Sequence, residues 1–191
     1  MVLLDEPGEH ELPQAALQTL KTLRASERVR MLGIGGSGEV MDAYVSTGAF
    51  DVLASPYHVT ADWRIQSRLR QAREQDMAIL GYDYFPSGID TPRKIELPQV
   101  QKRGLFGLGR GRGDETPLKG MGTFAFLHRT PGWSAEQICL GYALVNPSVS
   151  SVMISANHDD RINDLAQVCE RDLPPGLPAQ IEMARVDNAA A

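Results

Sequence analysis

Stretches of strand character and helix character alternate along this chain at intervals short enough to leave βα units as the natural reading. Pro13–Ser26 carries Ala16, Leu17, Leu20 and Leu23 at the spacings of one helical face. Arg28–Ile34 reads as a strand running into glycines, Glu39–Thr47 as a short helix closed by Gly48, and Phe50–Ala54 as a strand ended by Pro56. Thr60 is placed to cap a helix over Ala61–Gln75, with Trp63, Ile65 and Leu69 inward and the arginines outward. Met77–Tyr82 is almost continuously apolar, as a strand covered on both faces would be. Ser134–Gln137 spells a capping box at the head of a helix reaching Val145. Ser151–Ser155 is a further strand and Asp159–Cys169 a further helix. Alternation of this kind belongs to an α/β fold with a parallel sheet.

The rhythm breaks between Asp83 and Gly122, where glycine, proline and basic residues collect. A stretch of that length and composition reads as a lid, a binding loop or a disordered segment. A helical piece around Gly122–Arg129 restores order, and the Pro- and Ala-rich segment from Pro174 reads as a frayed tail. The expected organisation is one domain over residues 1–173 and a flexible tail over 174–191. A formal net charge of −5 gives no reason to expect nucleic acid or an anionic membrane as partner. No apolar run approaches the roughly 20 residues that cross a bilayer. Cys139 and Cys169 are too few for a disulfide framework or a four-ligand zinc site, and His10, His58, His128 and His158 show no metal spacing. No G-x-S-x-G nucleophile elbow occurs. A cytoplasmic, reduced protein is the expectation.

Gly33-Ile-Gly35-Gly36-Ser37-Gly38 matches G-x-G-x-x-G between an expected strand and an expected helix. A dinucleotide fingerprint also needs an acidic residue at the end of the next strand, to hold a ribose. Here Asp51 begins that strand and Ala54-Ser55-Pro56 ends it. The alternative is a tight βα turn that requires small residues.

The order of segments resembles the aldo-keto reductases. Leu20–Leu23 with Val29–Gly35 resembles that family's "L…G-K-I-R-A-I-G-V-S-N", and Phe50–Tyr57 its "F-D-V-L-Q-V-P-Y". Met77–Tyr82 resembles "I-A-V-L-A-Y", and Ile138–Leu144 with Val149–Ser155 resembles "L-A-L-R-W-A-L…V-S-S-V-I-P-G". The resemblance implies a (β/α)8 barrel with its site at the C-terminal strand ends. It places Val2–Leu4 at barrel strand four and the Ser151 segment at strand eight, so that the N-terminal strands are missing and the chain is a partial barrel.

By the same resemblance, the activity is NAD(P)H-dependent reduction of a small carbonyl substrate. The family's catalytic tyrosine, lysine and aspartate belong to the missing strands. Its histidine position is taken by Asp5, and a carboxylate has no proton to donate to a carbonyl oxygen. No catalytic residue is therefore assigned. The implied NADP(H) contacts are Gly35 and Gly36, in place of the family's Ser-Asn pair, Tyr82 stacked on the nicotinamide, Ser155 and Asn157 at a phosphate turn beside Ala156, and Arg161 at the 2′-phosphate. Ala54 and Leu165 replace a glutamine and an asparagine of the family.

A cut barrel leaves two free sheet edges and an open interior. A homodimer or a separate chain completing the barrel would close it, or Met1 lies within a longer protein. Two functional readings follow. The chain is either of oxidoreductase ancestry with weak or no activity alone, a pseudoenzyme in effect, or a non-catalytic remnant that binds a nucleotide or a protein through its open side.

Overall fold

The computed structural model describes residues 1–87, 89 and 124–189. Five strands, β1 (Val2–Asp5), β2 (Leu32–Gly35), β3 (Val52–Pro56), β4 (Ala78–Tyr82) and β5 (Ser151–Val152), form one sheet in sequence order. Every neighbouring pair is parallel. Helices α1 (Gln14–Ala25), α2 (Val40–Ser46), α3 (Trp63–Glu74), α4 (Ala135–Leu144), α5 (Asp159–Ala166) and α6 (Leu177–Ala189) connect or follow the strands. Strictly sequential order gives the sheet no topological switch point, which a doubly wound dinucleotide fold requires.

Alternate residues of a strand face opposite sides, so the register defines two faces. Leu4, Ile34, Leu53 and Ile79 lie in one lateral row and pack into the core with Met41, Val45, Leu69, Ile138 and Ala143 from the helices. Leu3, Gly33, Val52 and Ala78 form a row on the opposite, inner face, and Asp5, Gly35, Ala54, Leu80 and Ser151 form the next. Val52 and Ala54 on the central strand are buried, whereas Leu3, Ala78, Leu80 and Tyr82 are half-exposed. The near-continuous apolar run of β4 is thus covered by helices on one face only, not on both.

Local chemistry explains most of the boundaries. The capping box forms in both halves: Gln137 N–H donates to Ser134 Oγ at 3.1 Å and Ser134 N–H to Gln137 Oε1 at 3.1 Å. Helix α3 is capped by Asp62, whose Oδ1 accepts from Ile65 N–H at 3.0 Å, rather than by Thr60. The Thr60 hydroxyl instead lies 2.8 Å from His58 Nδ1. Two side-chain placements in α3 also differ from the expectation, because Trp63 is 73% exposed and Arg68 is only 3% exposed. The final strand is shorter than expected, ending at Val152, and Met153 and Ile154 are exposed.

The segment from Pro174 is not a frayed tail. Helix α6 buries Leu177, Ile181 and Ala184, the face of a helix at i, i+4 and i+7. Tyr142 donates to Glu182 of α6, and Arg185 of α6 donates to Ala61 O at 3.4 Å. Asn146 Nδ2 donates to Tyr57 Oη at 2.6 Å, extending this polar cluster towards β3. Beyond its first residues, the loop expected over 83–122 lies outside the described residues.

Candidate functional site

In a parallel βα sheet the C-terminal strand ends carry the connections to the helices and form the mouth. Glu6 follows β1 and Asp83 follows β4, both non-glycine residues in the left-handed region, with φ of 41° and 51°. Such conformations are uncommon outside glycine and are held by surrounding structure. Tyr82 ends β4, level with Pro56 of β3. Burial raises its phenol pKa first of all, and the carboxylates of Glu6, Asp83 and Asp5 raise it further. The Arg68 guanidinium acts against the carboxylates.

The glycine-rich loop after β2 is built by its own chain. Gly36 has φ of 153°, and a Cβ there would lie 3.1 Å from Glu6 Cγ and from Met41 Sδ. A Cβ on Gly33 would meet Leu3 Cδ1 at 2.6 Å, and one on Gly35 would meet Ala54 Cβ at 3.1 Å. Close packing therefore accounts for Gly33, Gly35 and Gly36, whereas a Cβ on Gly38 would meet nothing within 4 Å. The polar groups of Gly36 and Ser37 are also taken. Gly36 N–H donates to Ala54 O at 3.1 Å, while Ser37 N–H and hydroxyl donate to Glu6 Oε1 at 3.2 and 3.1 Å. From beneath, Arg68 donates to Gly36 O at 3.4 Å, Ser37 O at 3.2 Å, Gly38 O at 2.8 Å and Asp42 Oδ1 at 2.5 Å. A buried guanidinium holding three carbonyls fixes the turn. Asp51 stands at the opposite end of the sheet, accepting from Leu32 N–H and from Arg24, each at 2.8 Å.

Asp5, Gly35 and Ala54 fall side by side in one inner-face row, with Tyr82 one row nearer the mouth. The structure thus brings together three positions at which the resemblance marks a change of side chain. Gly36 follows at the head of the loop. Ser155 and Asn157 are exposed beyond β5, ahead of a helix whose first turn carries Asp159 and Asp160. Leu165 is buried in the core.

Arg161 is engaged. Its Nη2 and Nε donate to Glu136 Oε1 at 2.6 and 3.2 Å, and the Tyr84 hydroxyl donates to the same oxygen at 2.8 Å. Sequence reasoning missed Glu136, Tyr84, Arg68 and Glu6. Only Glu136 carried a signal, as an acid in the first turn of a capped helix. Among the described residues no group of three or more His, Cys, Asp or Glu is arranged to hold a metal ion. Likewise among the described residues, no helix is long and apolar enough to cross a membrane.

Among solved structures, the chain is similar to an aldo-keto reductase from Bacillus halodurans. The apo form is 14% identical with a TM-score of 0.68, over 95% of this chain and 60% of that one. The holo form is 15% identical with a TM-score of 0.70, over 95% and 59%. A glycerol dehydrogenase from Gluconobacter oxydans is 17% identical with a TM-score of 0.64, over 99% and 58%. No family model matches the sequence, and no curated protein does. At these identities the likeness is one of fold. The chain has alternating parallel βα units matching part of the aldo-keto reductase barrel, and it spans about three-fifths of the length of these structures.

Proposed function

We propose that this chain is a reductase-type barrel segment that works by assembly and does not reduce carbonyls alone. Its inner face and the edges of β1 and β5, unpaired among the described residues, receive a partner that supplies three further parallel strands. The row Asp5–Gly35–Ala54 carries this reading. Where a reductase of this fold would present a proton donor and amide-holding side chains, the row offers a carboxylate, a hydrogen atom and a methyl group.

The number of strands favours a complement over a second copy. Five strands curved like part of an eight-stranded barrel leave room for three, whereas another copy brings five. The half-exposed Leu3 and Leu80 provide apolar surface for such a partner to cover. A cofactor-side portion of an active oxidoreductase, using NADP(H) and a small carbonyl, is the second reading, favoured by Tyr82 at the mouth. The groups present do not fit that dinucleotide well. Arg161, the cation expected at its 2′-phosphate, is already paired with Glu136.

The test combines sedimentation, apolar-dye binding and an NADPH-oxidation assay with small aldehydes and ketones. A monomer that binds dye and shows no turnover is the expected result. Turnover abolished by Tyr82→Ala would overturn the non-catalytic reading. A homodimer that binds no dye would place a second copy on the face and overturn the three-strand partner.

A further inference from the structure

We infer that Glu136 stands in for a ligand's anion, so that the rim between β4 and α5 does not take the 2′-phosphate of NADP(H). Binding by this chain then does not distinguish NADPH from NADH. The inference is a disagreement between the cofactor implied by the fold and the groups this chain carries, and it holds whether or not a partner completes the sheet.

One carboxylate oxygen, Glu136 Oε1, accepts from Arg161 twice and from Tyr84 once. Glu136 is the more sheltered member of the ion pair, with 21% of its side chain exposed against 47% for Arg161. It also sits in the first turn of the ten-residue helix α4, where the N-terminal end of the helix dipole favours a negative charge. To reach a phosphate, Arg161 would have to leave or share this partner. The abandoned carboxylate would then lie beside the incoming dianion, a like-charge contact.

Further carboxylates nearby add to that repulsion. Asp159 and Asp160 occupy the first turn of α5, on the same helix as Arg161. Among the described residues the rim therefore sets Arg161 against three carboxylates, Glu136, Asp159 and Asp160. Across the mouth, Glu6 has taken the Ser37 N–H and hydroxyl in the same manner. In both places a carboxylate of the chain occupies donors at the mouth.

The experiment is a thermal-unfolding titration of the full chain with NADPH and NADH, two probes that differ only by the 2′-phosphate. A ligand that binds the folded state raises the transition midpoint by linkage. Equal shifts for the two dinucleotides, zero included, are expected for the unmodified chain, and Arg161→Gln leaves them equal. Glu136→Gln frees the guanidinium, and NADPH should then bind about tenfold more tightly than NADH, the scale of a hydrogen bond to a charged group. Adding Arg161→Gln should cancel that gain. A larger NADPH shift in the unmodified chain, abolished by Arg161→Gln, would overturn the inference. So would a folded Glu136→Gln variant with no preference for NADPH. If Glu136→Gln does not fold, the unmodified chain and Arg161→Gln decide the matter alone.

Discussion

The two faces of the sheet come from the same strands yet follow different rules. The outer face places Leu32, Ile34, Leu53 and Ile79 under the helices, each essentially inaccessible to water. The inner face presents glycine, alanine and valine at its centre, with half-exposed Leu3, Leu80 and Tyr82 towards its sides. Large apolar residues appear where the chain itself provides the covering helices, and small ones at the centre of the opposite face. The outer face accordingly carries the stability of the chain. The inner face carries no covering helix among the described residues.

The largest expected effect is on the outer face. Leu53→Ala should lower unfolding free energy by about 2–5 kcal/mol in urea titrations, because the covering helices cannot collapse into the space left. A loss below about 1 kcal/mol would break the contrast between the faces.

Next comes the clamp under the glycine-rich loop. Arg68→Met removes the donor to three loop carbonyls and to Asp42. A cost of about 1–3 kcal/mol is expected, together with faster proteolysis near Ser37. Unchanged protease sensitivity would contradict the role assigned to Arg68.

Truncating an inner-face side chain is expected to cost least of the three. Leu80→Ala should fall within about 1 kcal/mol in the isolated chain. The same substitution should weaken assembly with a partner, measured by sedimentation, far more than it weakens folding.

The smallest effect is a pH dependence at the mouth. Burial lowers the His58 pKa below its ordinary 6.5, and Asp83 and Asp62 oppose the shift without cancelling it. A base with a depressed folded-state pKa contributes stability that is complete above the unfolded value. That contribution is lost as pH falls through about 6.5 towards the folded value. His58→Asn should therefore flatten the stability profile between neutral pH and mild acid. An unchanged slope in denaturation midpoints would show that His58 is not responsible.

Much of this contrast was legible in the sequence. The strand–helix alternation marks β2 to β5 and helices α1 to α5, β1 follows from the family resemblance alone, and the Ser134 capping box forms as its spacing requires. Helix α6 was hidden by composition, since Pro174, Pro175 and Pro178 suggest a tail. The register of Leu177, Ile181 and Ala184 is nonetheless helical, and Pro178 lies in the first turn, where proline is tolerated. Arg68 could not be read as buried, because its partners are backbone carbonyls of a loop about 30 residues earlier. Arg161 could be found as a cation near the expected site. Its pairing with Glu136, 25 residues earlier, depends on how α4 and α5 pack. The open inner face of β4 was misread because the run Ala78–Leu80 is apolar on both sides. Periodicity cannot say which side the chain covers.

The most direct test of an open inner face is thiol labelling of single cysteines in a Cys169→Ser background, with Cys139 as the internal buried reference. Cys139 is inaccessible, and burial pushes its thiol up to about 12, so it should stay unlabelled in the native state. Leu3→Cys and Leu80→Cys on the inner face should react with a maleimide in the folded monomer, while Leu53→Cys should remain as protected as Cys139. Labelling of Leu53→Cys together with protection of Leu3→Cys and Leu80→Cys would contradict the account.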